Sequence, residues 1–117
     1  MPNATLYHRQ QAAINTGNIA TYIGLVDDGG NEIVGGDPVY ARKPVTWTAP
    51  DGDAKIHPTE SPLFDVPGGY IVVAGWRSYT ALTHGEDLGG KTISPSRTFA
   101  GQGTLLLDKD EMGWQVT

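Results

Sequence analysis

The chain has 117 residues, which is the usual size of one domain. Its formal net charge of −5 argues against nucleic acid and against anionic membrane surfaces as partners, because both need a basic protein face. There are no cysteines, so disulfides, thiolate metal sites and cysteine nucleophiles are excluded. The 16 glycines and 8 prolines are typical of short strands joined by tight turns rather than of a helical bundle.

The first predicted element is a helix over residues 3–15. Asn3 is a favourable N-cap, good helix formers follow it, and Gly17 with Asn18 supplies a stop. The apolar stripe along this helix is weak, so we describe residues 1–17 as an N-terminal helix or arm. No apolar stretch approaches the ~20 residues of a membrane span, and no basic-then-apolar signal peptide is present. We therefore expect neither membrane insertion nor ordinary secretion.

Residues 18–117 are predicted to form one mainly β domain, a single antiparallel β-sandwich of about 7–9 short strands. Short apolar or alternating segments are separated by clusters of Gly, Pro, Asp and Asn. The predicted strands cover residues 22–26, 45–48, 54–57, 63–66, 70–76, 91–94, 103–107 and 112–116. Residues 84–91 are predicted to be a loop.

One apolar segment and two single residues predict details of the sheet. The segment from Tyr70 to Trp76 is apolar on both faces, so we expect a central, covered strand. Gly75 within it indicates a β-bulge or a close backbone approach. Pro44 cannot donate to a ladder, which predicts a sheet edge or a bulge at this residue.

Catalytic and metal-binding patterns are absent or incomplete. His8, His57 and His84 have no metal-ligand spacing to one another. The acidic loop 27–32 has a glycine where a calcium loop needs a ligand. Residues 101–103 lack the third glycine and the lysine of a phosphate-binding loop, and the serines lie outside any nucleophile elbow. We expect a protein without enzymatic activity, metal or cofactor.

The aromatic side chains are the best material for recognition, because an exposed ring on a β-sandwich can hold a sugar ring. The large apolar rings of Trp47 and Trp76 also suit burial in the core, because the chain has only two phenylalanines. The sequence assigns Tyr79 and Trp114 to the core less strongly than Trp47 and Trp76. Trp114 also suits a contact between subunits. We predict ligand or interface contacts at Trp76, Tyr79 and Trp114.

Four segments, in this order, resemble a known family. They are Thr21–Leu25, Asn31–Gly36 with the following Tyr40–Trp47, Pro62–Pro67 and Thr98–Thr104. Together they resemble the small tail-fibre and minor-tail proteins of tailed bacteriophages, especially those that infect actinobacteria. The likeness extends over residues 18–108, and the polar N-terminal helix departs from the family pattern.

The resemblance implies a structural component of the phage particle, assembled in the host cytoplasm, with an N-terminal helix and a small β-sandwich. Its partners would be other virion proteins and a host cell-surface glycan. Three functions stay open: a tail component, a capsid decoration protein whose N-terminal arm orders on the shell, and a free carbohydrate-binding module. A thin core favours subunit contacts, and the three-fold symmetry of tail fibres and many head decorations implies a homotrimer.

Overall fold

The computed structural model describes residues 5–115. Within them, one helix of 14 residues precedes eight strands, and a short 3-10 turn separates the last two strands. The elements are α1 (Leu6–Ile19), β1 (Tyr22–Val26), β2 (Lys43–Pro44), β3 (Lys55–Ile56), β4 (Leu63–Val66), β5 (Ile71–Tyr79), β6 (Asp87–Phe99), β7 (Gly103–Leu106), the 3-10 turn Lys109–Glu111 and β8 (Trp114–Gln115). The predicted fold class is confirmed: the chain is mainly β and antiparallel, with a short N-terminal helix.

Helix α1 begins later than the predicted range 3–15. Thr5 is its N-cap, and the Thr5 hydroxyl accepts a hydrogen bond from the backbone N–H of His8 at 3.1 Å. A threonine oxygen in this place satisfies one of the free N–H groups of the first turn. The predicted N-cap, Asn3, lies outside the described residues.

The predicted helix stop at Gly17 and Asn18 is wrong, because α1 continues to Ile19. Gly17 faces the rest of the fold: a Cβ placed on it would lie 3.2 Å from Cβ of Trp47 and 3.5 Å from Cδ1 of Ile56. The glycine therefore allows close packing of the helix instead of ending it.

Three contacts hold α1 against the β part of the chain. Ala13 is completely buried, and the side-chain amide of Gln10 donates to the carbonyl of Asp51 at 2.8 Å. Just beyond the helix, the indole N–H of Trp47 donates to the carbonyl of Ala20 at 2.7 Å. The helix is thus an integral part of the folded unit.

The main sheet has four strands in the order β2-β1-β5-β6, all antiparallel. The predicted central position of β5 is confirmed, and so is the edge position of Pro44 in β2. The predicted irregularity at Gly75 is also confirmed, since the β5–β6 register shifts between Val73 and Gly75. A Cβ on Gly75 would lie 2.8 Å from the carbonyl oxygen of Lys91, so a side chain has no room there.

Strand β6 differs most from the expectation. It has 13 residues, whereas a loop over 84–91 and a short strand over 91–94 were predicted. The glycines at 85, 89 and 90 are typical of turns, but β5 provides backbone partners for β6 on both sides of its bulge. The loop prediction is wrong for residues 87–91, where long-range pairing with β5 outweighs local turn propensity, whereas residues 84–86 do lie in a loop.

Several other predicted strands are shorter in the structure, and the segment 54–57 contributes only β3, Lys55–Ile56. The segment 45–48 contributes only an isolated bridge between Trp47 and Pro58, and the ladder lies earlier, at Lys43–Pro44. The segment 112–116 contributes β8, Trp114–Gln115, within the described residues.

A second layer, the β4–β7 ribbon, packs against the main sheet around one core. Phe64 of β4 is fully buried, and its ring stacks with that of Tyr40 at a centroid distance of 6.4 Å. Burying a side chain of this size contributes about 1.5–3 kcal/mol. The core joins Ile23, Leu25, Val73 and Trp76 of the main sheet to Phe64, Val66 and Leu105 of the ribbon.

Candidate functional site

The three predicted contact residues have different environments. Trp76 and Tyr79 are buried in β5, with 3% and 6% of their surfaces exposed, whereas Trp114 is half-buried. Trp76 belongs to the core, and its predicted role as a ligand or interface contact stays a prediction. The guanidinium of Arg42 covers the ring of Tyr79 at 3.6 Å from the centroid, and the predicted contact role of Tyr79 likewise stays a prediction. Of the three residues, only Trp114 is partly exposed.

A hydrogen-bonded cluster surrounds Tyr79. Arg42 donates from Nε and Nη2 to the two carboxylate oxygens of Glu32, and from Nη1 to the carbonyls of Ala81 and His84. These bonds tie the loop after β5 to the loop after β1. A cavity of about 350 Å³ adjoins the cluster, but Arg42 and Glu32 already use their polar atoms on each other and on the loop. We assign this cluster to structural support.

The ionisation of the cluster agrees with that role. Burial raises the pKa of Glu32, but hydrogen bonds from Arg42 and Tyr40 and the Arg42 charge outweigh burial, so the pKa lies below its ordinary value. Burial and the bond to Glu32 hold the pKa of the Tyr40 hydroxyl far above its usual range. Burial, with the Glu32 charge, raises the pKa of Tyr79 to about 12. The pKa values of all three groups are thus shifted away from the neutral range in which a general acid or base works best.

A cavity of about 330 Å³, which we call the Trp114 groove, lies between β6 and β8. It is lined by Trp76, Leu88, Gly89, Gly90, Lys91, Gly113, Trp114 and Gln115. The groove brings together two of the three predicted residues, Trp76 and Trp114, while Tyr79 lies outside it.

The fold positions Trp114 from two sides. Its backbone pairs with Ile56 of β3, and its ring meets the ring of Trp47 edge-on, with centroids 6.5 Å apart. Such an edge-to-face pair is a favourable aromatic geometry. A Cβ placed on Gly89 would lie 3.8 Å from Cη2 of Trp114, so this glycine lies beside the outer edge of the indole.

The glycines of β6 give the groove a floor made of backbone. Gly89 has a φ of +96°, and a Cβ on Gly90 would overlap the Trp76 carbonyl, so both positions require glycine. The fully buried Ser78 hydroxyl donates to the Gly89 carbonyl at 3.0 Å, and the Gly89 N–H donates to Oδ1 of Asp87 at 2.8 Å. Hydrogen bonds at both the N–H and the carbonyl of Gly89 therefore hold the floor in place.

Polar groups stand at the rim of the groove. Lys91 is exposed, and it is the one charged side chain among the described residues that line the cavity. The side-chain amide N–H of Gln115 donates to the carbonyl of Asp53 at 3.1 Å, which leaves the amide oxygen as an acceptor. An aromatic ring, a backbone floor, a cation and a hydrogen-bond acceptor together suit a ring-shaped polar ligand.

Sequence reasoning missed Gly89, Gly90 and Lys91 as site residues. The Gly-Gly pair was the available signal, but its composition alone indicates a loop. Only pairing with β5 puts these residues beside Trp114.

No group of three or more His, Asp or Glu side chains in residues 5–115 could hold a metal ion. None of the helices in this range has the length and apolar character needed to cross a membrane. The chain matches no protein-family model, no curated protein and no solved structure.

Proposed function

We propose that this chain is a non-enzymatic structural protein of a tailed-phage particle, a tail-fibre or minor-tail component that contacts a host-surface glycan through the Trp114 groove. The four-segment resemblance supports the place in the particle. The observation that carries the binding role is the half-buried ring of Trp114 beside the backbone floor at Gly89. Sugar rings have apolar faces and polar edges, which match an aromatic ring bordered by hydrogen-bonding groups.

The alternative of a capsid decoration protein depends on an N-terminal arm that orders only on the shell. In the structure, α1 is instead fixed to the β part by the buried Ala13 and by the hydrogen bond from Gln10 to Asp51. This packing favours the tail component. A free carbohydrate-binding module would use the same groove and differs from our proposal in its location.

We also propose that the protein is a homotrimer. Leu63 of β4 and Leu106 of β7 are cross-strand partners, and they are 54% and 60% exposed. Neighbouring exposed leucines of this kind form an apolar surface that a subunit contact would cover.

Antibody-gold labelling of the phage that encodes the chain tests the location. Gold at the tail or its tip is the expected result. Gold spread over the head would replace the proposal with the decoration protein, and no gold on intact particles would favour the free module.

A glycan array tests the binding role, with Trp114→Phe and Trp114→Ala compared with wild type. Tyr7→Ala is a matched control, because Tyr7 is 71% exposed on α1 and lies outside the groove. We expect both Trp114 variants to lose binding while Tyr7→Ala keeps it. Unchanged binding by folded Trp114→Phe and Trp114→Ala would refute the assigned groove.

A further inference from the structure

We propose that the Trp114 groove selects an acidic sugar, one bearing a carboxylate, sulfate or phosphate group, with Lys91 as the contact for the anion. This inference rests on the proposed glycan-binding role and names the ligand class of the same groove. It follows from the distribution of charge and from the position of Lys91 on β6.

The charge of the groove is opposite to that of the chain. The protein carries a net charge of −5, yet the one charged side chain among the described residues of the lining is a lysine. The ion pairs within residues 5–115 use Arg42, Arg77 and Lys109. Lys91 takes part in none of these pairs, so no acidic side chain within residues 5–115 neutralises its ammonium.

The nearest acidic residue along β6 does not cancel this charge. Asp87 is outside the cavity lining, and its Oδ1 accepts the backbone N–H of Gly89. Its Oδ2 lies 3.7 Å from Nη1 of Arg77. Both carboxylate oxygens of Asp87 thus have partners other than Lys91.

The strand geometry places the cation and the aromatic ring on one side of the sheet. Lys91 is the cross-strand partner of Trp76, and Gly89 is the partner of Ser78. Residues two apart on a strand face the same way and are separated by about 6–7 Å. Because Gly89 lies beside Trp114, a sugar ring against the indole can direct an exocyclic acid group toward Lys91.

The remaining groups of the groove suit the hydroxyls of the same sugar. The amide oxygen of Gln115, whose N–H is bonded to the carbonyl of Asp53, can accept a hydrogen bond from a hydroxyl. A neutral sugar makes this contact and the aromatic contact but has no partner for Lys91. A charge-assisted hydrogen bond is about twice as strong as a neutral one, so an acid group supplies selectivity.

The test titrates the full chain by isothermal calorimetry with four probes: an oligogalacturonate, a sulfated oligosaccharide, a sugar phosphate oligomer and neutral cellohexaose. Lys91→Gln is compared with Lys43→Gln. Lys43 lies in β2, at the opposite edge of the same sheet, and outside the groove. Both variants remove one positive charge, and thermal melting verifies that both are folded.

We expect at least one acidic probe to bind wild type and Lys43→Gln equally, and Lys91→Gln to bind it roughly tenfold more weakly. Added salt should weaken the acidic complex and leave the neutral complex almost unchanged. The ranking of the three acidic probes identifies the source of the anion.

Three results would overturn the inference. Binding of cellohexaose as tight as that of the acidic probes, with no effect of Lys91→Gln, would leave a glycan site without acid selectivity. An equal loss in Lys43→Gln would indicate attraction by overall charge. If no probe binds while gold labels the tail, the proposed ligand class is refuted and the proposed location in the particle is not.

Discussion

Arg42 and Glu32 form a two-point ion pair, in which Nε and Nη2 lie 2.9 and 2.8 Å from the two carboxylate oxygens. The side chains are only 10% and 22% exposed. The pair thus lies within the segment between β1 and β2, where little water is present to replace either partner, and Arg42 Nη1 links this segment to the loop after β5. An unpaired charge left in such a place is strongly destabilising.

We expect Arg42→Ala to lower the free energy of unfolding by about 3 kcal/mol, because it leaves the Glu32 carboxylate half-buried and removes the bonds to the loop carbonyls. Arg42→Lys should recover part of the loss, since an ammonium cannot make both contacts. Urea denaturation measures the effect. Arg77→Ala is the control, because its pair with Asp87 is 3.7 Å long and exposed, and its loss should stay below about 1 kcal/mol. Equal losses in Arg42→Ala and Arg77→Ala would contradict the role of the cluster.

The same pair predicts a pH dependence of stability. The pKa of Glu32 is lower in the folded chain than its ordinary value of 4.5, so the unfolded state binds more protons in this range. Stability therefore rises with pH through this window; the Glu32 contribution is fully present above about pH 4.5 and is lost as pH falls through the folded pKa. Denaturation between pH 3 and pH 6 should show a shallower slope for Glu32→Gln than for wild type. Parallel slopes would show that Glu32 does not contribute.

The helix contact at Gly17 predicts an overpacking effect. Gly17→Leu should lower the free energy of unfolding by about 1–3 kcal/mol, since the new side chain meets Trp47 and Ile56. Asn15→Leu, on the exposed side of α1, should change stability by only a few tenths of a kcal/mol. Chemical denaturation of both variants makes the comparison. A gain in stability from Gly17→Leu would mean that the helix does not pack closely there.

The turn before β5 predicts a stabilising substitution. Tyr70 has a φ of +64° and is 71% exposed, so it has the strain of a left-handed residue with little burial to offset it. Tyr70→Asn should raise the free energy of unfolding by about 0.5–1 kcal/mol, because asparagine tolerates this conformation. Tyr7→Asn, equally exposed but in α1, should give no gain. The melting temperatures of the two variants decide between strain and general surface effects.

The proposed trimer predicts a surface variant that dissociates it. Light scattering of wild type should give three times the chain mass, and Leu106→Lys should give the monomer mass with an unchanged circular dichroism spectrum. Val34→Lys is the control, because Val34 is 80% exposed and belongs to neither strand of the β4–β7 ribbon. Monomeric wild type would contradict the trimer, and a trimeric Leu106→Lys would contradict the assigned surface.

Features governed by local chemistry could be predicted from the sequence. The apolar segment before Trp76 indicated a central strand, Pro44 indicated a sheet edge, and Gly75 indicated an irregularity, because each depends on the residue's own hydrogen-bonding and steric properties. The fold class follows from the same local signals, repeated along the chain. Of the candidate site, the sequence indicated Trp114 as a ring free for contact.

The tertiary structure alone decided which residues surround that ring and which predicted contacts are buried. Arg42 covers Tyr79, and the core takes Trp76, through contacts between segments far apart in sequence. Gly89 and Gly90, which predicted a loop, lie in the first part of β6, since β5 satisfies their backbone groups. A strand's partner comes from elsewhere in the chain, so local propensity cannot specify it, and the groove at Trp114 exists only once that pairing has formed.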